Sequence, residues 1–431
     1  MHNKFLLGVL AISLLSGGKA SAYSLDETIE QTLKTNPEML AISHELQARG
    51  HEIRQARAEY LPKVSVSAGV GKETRKAPAT GNVEVDLDRS EMAVQAEQLI
   101  FDGLGSIAEV TRQKARTDSL RSRADAAAED IALRTSKVYL DVMRHTELLD
   151  LARNTLWEHQ NIYDQMSLRS ETGVGSKADL DQIAARLALA NANMVVAQNN
   201  QADSQASFFR VTGFYPNLES MSKPQAPAAM PASLDMAIEA AQQNHPTLES
   251  AGADFRAAQA QHKAAGSAYW PTVHLEAEKR WDEDVGGIEG EDEDLVVALR
   301  LRYQLFNGGA DRARRKQTAQ LIEQSKDIRN NARRQVVESM SLSWNAFEAL
   351  NAQMTFLNSH VKAAQSTKAA YAKQFNIGRR TLLDLLNTET EVVEARRALI
   401  NAQYDELYAR YRILNASGEM LSALSIAYEQ Q

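Results

Sequence analysis

The chain has 431 residues, no cysteine and a formal net charge of −8, with 48 Lys and Arg against 56 Asp and Glu. The acidic balance argues against a general nucleic-acid binder, and the missing thiols exclude a disulfide framework, thiol catalysis and a lipidated cysteine. Past the N-terminus no run approaches the roughly 18 apolar residues that a membrane-crossing helix needs, which leaves peripheral association or a β-barrel as the membrane options.

Residues 1–22 read as a secretory signal: Lys4, the apolar run FLLGVLAISLL, then Ala20-Ser21-Ala22 as a small-x-small cleavage site. Cleavage would remove Lys4 and Lys19 from the 48 basic residues, leaving 46 against 56 acidic ones and a net charge of −10 on a chain that starts at Tyr23 outside the cytoplasm.

Beyond the signal the chain repeats itself. SLDETIEQTLKTNPEML from Ser24 matches SLDMAIEAAQQNHPTLE from Ser233, and Tyr60-Leu61-Pro62 pairs with Tyr269-Trp270-Pro271 at the same offset of 209. At an offset of 205, Phe101-Asp102-Gly103 pairs with Phe306-Asn307-Gly308, Gly173 with Gly378, and Thr212-Gly213 with Ser417-Gly418. The expected organisation is two copies of one unit, residues 23–222 and 233–431, joined at 223–232 through the Pro-rich KPQAPAAMP.

In each copy a short helix, Pro37 to Tyr60 in the first, is stopped by Pro62 or its counterpart Pro271. Alternation follows: Val64, Val66, Ala68 and Val70 against Ser65, Ser67 and Gly69, and in the second copy Val273, Leu275 and Ala277 against His274, Glu276 and Glu278. The clearest case runs from Leu295 to Leu305, eleven residues, against about 9–11 for a tilted membrane strand. The same alternation also fits a half-buried hairpin of a soluble protein. Two hairpins make four strands, too few to close a barrel. Open sheet edges are prohibitive in lipid, so membrane strands would require other copies of the chain to complete the barrel.

The acidic run DEDVGGIEGEDED, Asp282 to Asp294, is expected to be a solvated loop between strands. Asp282, Asp284, Gly287 and Glu293 match calcium-loop positions, but Gly286 replaces a ligand and flanking helices are missing, so no metal site is expected.

Helical periodicity then runs from about Gly105 to Thr172 and from Ala310 to Ile377. Met340, Phe347, Met354 and Val361 form one seven-residue row, and Leu350, Leu357, Ala364 and Tyr371 a second, as in coiled-coil seams. Some 66 residues make a helix on the order of 100 Å long. Each long helix breaks at a glycine, Gly173 or Gly378, and returns as a shorter one, Ser176 to Gly213 or Thr381 to Gly418. Ser176 with Asp179 and Thr381 with Asp384 have capping-box spacing. Arg379-Arg380 does not fit, because cations are disfavoured ahead of a helix N-terminus.

Enzyme signatures fail. Gly103-Leu104-Gly105-Ser106-Ile107-Ala108 fits a dinucleotide fingerprint, but no second parallel strand follows and the other copy has Gly308-Gly309-Ala310. His44-Glu45 and His51-Glu52 begin zinc motifs whose second histidines are Ala48 and Gln55. No catalytic residue, cofactor or metal ligand is assigned.

The duplicated unit, the N-x-P and Y-L-P segments, the F-D/N-G strand exits and the G-x-x-x-x-x-D turns, taken at constant offset, make the chain resemble the TolC-family outer-membrane channels. The resemblance implies an α+β membrane protein: a homotrimer whose three sets of four strands form a 12-stranded β-barrel, continued by a long α-helical coiled-coil tube. It implies a cell outer-membrane location with a large periplasmic portion, contact with outer-membrane lipid and no nucleic acid. The function implied is the exit duct of a type I protein secretion system, with a periplasmic adaptor (membrane fusion protein) and an inner-membrane ABC transporter supplying the energy. The alternative is the channel of a tripartite multidrug efflux pump, and the second alternative a periplasmic coiled-coil scaffold. Absence of a lipidation cysteine fits the secretion branch.

By the same resemblance, a periplasmic gate would involve Asp179, Arg380 and Asp384. Phe375 stands where a gate tyrosine is expected, Ala178 where a threonine is, Gln403 where another arginine is, and Asn387 where a second ring aspartate is. A phenyl ring has no hydroxyl to bond a carboxylate, so the latch is expected to be differently built. Three copies of Asp384 around a narrow opening would favour cations and raise one another's pKa. Gly173, Val174, Gly378 and Arg379 are the expected adaptor-docking tips.

Overall fold

The computed structural model describes residues 24–227 and 230–427; the signal reading at 1–22, the start at Tyr23 and part of the linker lie outside them. One order of elements occurs twice. First come α1 (Leu25–Thr35), α2 (Pro37–Ala58), β1 (Lys63–Lys76), β2 (Glu84–Phe101), α3 (Gly105–Glu171) and α4 (Lys177–Thr212). Then follow α5 (Leu234–Asn244), α6 (Pro246–Gly266), β3 (Thr272–Glu283), β4 (Glu291–Arg302), α7 (Ala310–Asn376) and α8 (Leu382–Ser417), with a last turn α9 (Met420–Ala423).

The repeated Ser-Leu-Asp and N/H-P signatures are helix starts. The Ser24 Oγ accepts the Glu27 N–H at 3.2 Å while the Glu27 carboxylate accepts the Ser24 N–H at 3.0 Å, a reciprocal capping box. Ser233 caps α5 through the Met236 N–H. Asn36 and His245 then cap α2 and α6, with Pro37 and Pro246 at the first helical position. The short helix expected from Pro37 to Tyr60 is α2, ending at Ala58; a separate helix precedes it, as α5 precedes α6, set apart by an extended cap residue followed by proline.

The chain forms two compact units, each drawing on both repeats. One comprises Leu33–Arg134, Pro227–Phe356 and the segment from Asp405, and holds the sheet. The strands run antiparallel in the order β1-β2-β3-β4. The two hairpins are joined by β2 and β3, from Ser90↔Glu283 to Phe101↔Val273, with a bulge at Leu99. Within the chain the outer edges of β1 and β4 have no partner strand among the described residues. Val64 opposite Ala96, Ala96 opposite Ala277 and Ala277 opposite Val297 make an apolar row across all four strands. Both ends of the row, Val64 and Val297, are exposed, as are Val66, Leu295 and Leu299 in neighbouring rows of the same face.

Two expectations need correction here. The acidic run is loop only over residues 284–290; its two ends extend the strands, Asp282 pairing with Asp292 and Glu283 with Glu291, so six of its eight carboxylates lie on the ladder. Its carboxylates find their cations across strands, as in Lys279–Glu293 at 2.7 Å, where the linear sequence shows none. Conversely β4 stops at Arg302, short of Leu305, because its partner begins at Thr272, directly after a proline that has no N–H to offer.

The exit from β2 is built by the Phe101-Asp102-Gly103 triplet. The Asp102 carboxylate accepts both the Ser106 N–H and the Ser106 hydroxyl at 2.6 Å, capping α3. Gly103 has φ +68, and a Cβ there would lie 2.7 Å from the Ser267 carbonyl and from Trp270 Cβ. Nearer the chain end, Ala237, Ala241, Val336, Met340, Trp344, Ile413 and Ala416 form a core. Beside α9, the Glu129 carboxylate accepts the Met420 and Leu421 N–H groups at 2.9 and 3.1 Å. Burial raises its pKa to about 7, against the lowering effect of those two bonds.

The other unit comprises the segment ending at Thr32, Thr135–Ala226 and Leu357–Tyr404, and carries both helix turns. Val361, Ala364, Val392 and Ala395 pack α7 on α8. No helix among the described residues is long and apolar enough to cross a membrane.

Candidate functional site: the paired helix turns

Both turns end their long helix in a Schellman motif. Gly173 (φ +76) gives its N–H to Ser170 and Val174 gives its own to Arg169; Gly378 (φ +77) and Arg379 repeat this to Phe375 and Gln374. In neither case is there an atom within 4 Å of where a glycine Cβ would sit, so backbone conformation and not crowding selects glycine. Val174 (81 % exposed), Gly378 and Arg379 all face solvent.

The return helices start differently. The Thr381 Oγ1 accepts the Asp384 N–H at 3.2 Å, and the Asp384 carboxylate accepts the Thr381 N–H at 3.3 Å and hydroxyl at 3.0 Å, a complete capping box. Ser176 instead caps through the Ala178 N–H at 3.1 Å, and Asp179 makes no bond back among the described residues. The expected box is thus absent at the first turn, where Ser176 reaches the second N–H of the helix and not the third.

Under the turns lies a core of Met166, Ile183, Phe375, Leu382, Leu385 and Leu386. Phe375 is 9 % exposed and the Arg169 guanidinium stands 5.3 Å from its ring centroid. Its ring therefore consolidates its own chain's turn. Arg380, unexplained by helix chemistry, folds back onto the preceding helix. Its guanidinium lies 4.2 Å from the Tyr371 ring centroid, its Nε donates to Gln374 at 3.1 Å, and Nη1 stands 3.8 Å from Asp384. Hydrogen bonds from Thr381, aided by Arg380, hold the Asp384 carboxyl below its usual pKa within the chain.

Asp179, Phe375, Arg380 and Asp384 thus all sit on the turns and the helix ends beside them, and Asn387 is exposed one turn beyond Asp384. Gln403 is not brought to them. It lies nineteen positions past Asp384 on α8, roughly 28 Å along the helix, and accepts a bond from Lys223 at 3.1 Å. Lys223 also stands 4.4 Å from the Tyr404 ring centroid, while the Tyr139 hydroxyl donates to the Ser222 carbonyl at 2.9 Å, so the start of the linker is clasped there.

Sequence reasoning missed an ion triad below the turn core. Lys368 Nζ lies 2.7 Å from Glu158 and 2.9 Å from Glu389, joining α7 to α3 and α8. The available signal was Glu389 itself, a carboxylate seven residues after Leu382 on the same apolar seam.

Among the described residues no group of three or more His, Asp or Glu is arranged to hold a metal ion. The turns offer exposed backbone, one aromatic-stacked arginine and two carboxylates, groups for docking and for screening ions.

A family model described as "Outer membrane efflux protein" matches residues 28–213 and 237–419. The chain is 23% identical to "Outer membrane protein TolC" of Escherichia coli (strain K12), over 97% of this chain and 87% of that one. It is 23% identical to "Proteases secretion protein PrtF" of Dickeya chrysanthemi, over 97% and 93% respectively. Among solved structures, the outer membrane protein VceC of Vibrio cholerae superposes with a TM-score of 0.78 at 16% identity, covering 91% of this chain and 96% of that one.

Proposed function

The chain belongs to the outer membrane efflux protein family of TolC-like channels, and from that premise we propose that it is the exit duct of a type I protein secretion system. Members of the family are passive outer-membrane channels that act with adaptor proteins and inner-membrane transporters; they are not enzymes. A soluble periplasmic scaffold is set aside by that membership. The observation that carries the secretion reading is the end-to-end match to a relative whose name gives its role as protease secretion. The partners proposed are two further copies of the chain, a periplasmic adaptor and an inner-membrane ABC transporter. Multidrug efflux is the second reading, favoured by the description of the family itself.

Four strands with two unpaired edges support a trimer, since three copies would supply twelve strands and satisfy every edge in lipid. Helices α3 and α7, 67 residues each, rise on the order of 100 Å, enough for a duct that continues into the periplasm. Asp179, Arg380 and Asp384, with Phe375 and Asn387 beside them, form the gate in this reading, and Gly173, Val174, Gly378 and Arg379 the adaptor-docking tips. Gln403 stands outside this group, bonded to Lys223 at the start of the linker.

Deletion of the gene separates the readings. Loss of a large secreted protein with unchanged drug susceptibility supports secretion; drug hypersensitivity with secretion intact overturns it in favour of efflux. For the gate, single-channel recordings of Asp384→Ala are expected to lose cation selectivity, and unchanged selectivity removes Asp384 from the ring.

A further inference from the structure

The corner where the sheet meets the helices carries a groove of about 660 Å³ whose lining matches neither a helix seam nor a strand face. One wall is apolar and aromatic: Leu104 and Ile107 from the start of α3, with Tyr269 and Trp270 after α6, every one of them exposed. The other is cationic, with Lys263 on α6 and Arg315 on α7. Neither cation has a carboxylate within ion-pair distance among the described residues, whereas Arg256, lower on the same face, stands 4.0 Å from Asp118. The Arg315 guanidinium is 5.6 Å from the Tyr269 ring centroid.

Position gives the combination a meaning. Trp270 precedes the first residue pair of β3 by two positions, and Leu104 follows the end of β2 by three, so the groove opens at the strand ends. Strand ends of a membrane barrel lie at headgroup level, where tryptophan and tyrosine collect. Its walls come from α3, α6 and α7, elements that touch one another within the chain: Ser119 meets Ser250 at 3.1 Å, and His262 meets Thr318 at 2.9 Å. The groove is also preformed, because the Gly103 backbone lies against Ser267 and Trp270 too closely for any side chain.

We infer that this groove is a binding site for an anionic glycerophospholipid of the periplasmic leaflet, its phosphate held by Lys263 and Arg315 and its acyl chains lying along Leu104, Ile107 and Trp270. Exposed apolar side chains at the strand ends suit acyl chains, and unpaired cations beside them suit a phosphate. The inference rests on the membrane strands of the family fold and is independent of what the duct exports.

The test is native mass spectrometry of the detergent-purified, delipidated oligomer titrated with phosphatidylglycerol, phosphatidylethanolamine or inorganic phosphate. The wild type is expected to retain phosphatidylglycerol in preference to phosphatidylethanolamine, and Lys263→Gln/Arg315→Gln to lose about tenfold in phosphatidylglycerol affinity with its oligomer intact. Equal retention of the two lipids by the wild type overturns the proposal without reference to any variant. So does undiminished phosphatidylglycerol binding by the double variant, and displacement of the lipid by excess inorganic phosphate would mark the site as a free-phosphate site instead. None of these readouts depends on the secretion reading, which stands or falls on the deletion phenotype.

Discussion

Lys368 reaches from α7 to Glu389 on α8, 2.9 Å away, and the Glu389 side chain is only 2 % exposed. Glu158 on α3 completes the triad at 2.7 Å. Removing the lysine would leave a buried carboxylate uncompensated and a second one beside it. Lys368→Met is therefore expected to destabilise the turn unit by about 3 kcal/mol, the low end for breaking a buried pair since the lysine is itself partly solvated. Thermal unfolding of the purified oligomer measures this, and Lys368→Met/Glu389→Leu should recover most of the loss. A single variant as stable as the wild type would mean that Glu389 simply takes up a proton.

The two turns should respond unequally to loss of their caps. Thr381→Ala removes the Oγ1 partner of the Asp384 N–H and one donor to the Asp384 carboxylate, at a cost of about 1 kcal/mol. Ser176→Ala removes one bond, to Ala178, and should cost less. Amide hydrogen exchange over the first turns of α4 and α8 reads each site locally. Equal acceleration at both would contradict the structural difference between the caps.

Much of this fold was legible because its signals are periodic or paired. The repeat, the seven-residue rows through Met340 and Leu350, and the glycines at 173 and 378 each recur, so chance is excluded by their spacing. What escaped was non-local. The strand character of Glu291 to Asp294 depends on partners such as Lys279 on another strand, and β-propensity alone argues against it. Likewise Arg380 could be explained only once Tyr371, nine residues earlier, was known to lie beneath it across the turn. The Gln403 assignment came from resemblance, and the helix rise between it and Asp384 separates the two.

If the turns dock an adaptor, the contact must be made by side chains that the turn itself does not need. Val174 and Arg379 qualify, because their backbone N–H groups close the Schellman motifs while their side chains face solvent. Val174→Glu and Arg379→Glu should leave thermal stability within about 0.5 kcal/mol of the wild type. Each should lower site-specific adaptor crosslinking and export together. Retention of both in the double variant would exclude these side chains from docking; replacing Gly173 or Gly378 is a poorer probe, since a positive φ strains any other residue.

Glu129 should give the sheet unit a pH-dependent stability. Its pKa rises from 4.5 to about 7 on folding, chiefly through burial, with Asp130 and Glu419 adding to the rise and the Leu421 and Met420 N–H groups opposing it. A raised folded-state pKa means that the folded chain binds the proton more tightly. The contribution is thus complete below about pH 4.5 and is lost as pH climbs through 7. At 1.36 kcal/mol per pH unit, that interval is worth on the order of 3 kcal/mol. Glu129→Gln keeps a carbonyl acceptor for one N–H and cannot titrate, so its unfolding midpoint should vary less between pH 4.5 and 7 than that of the wild type. His245, whose pKa burial pushes down, acts in the opposite sense and is common to both proteins, so the difference between the two curves isolates the carboxyl. Parallel curves would show that Glu129 stays ionised on its two backbone donors throughout.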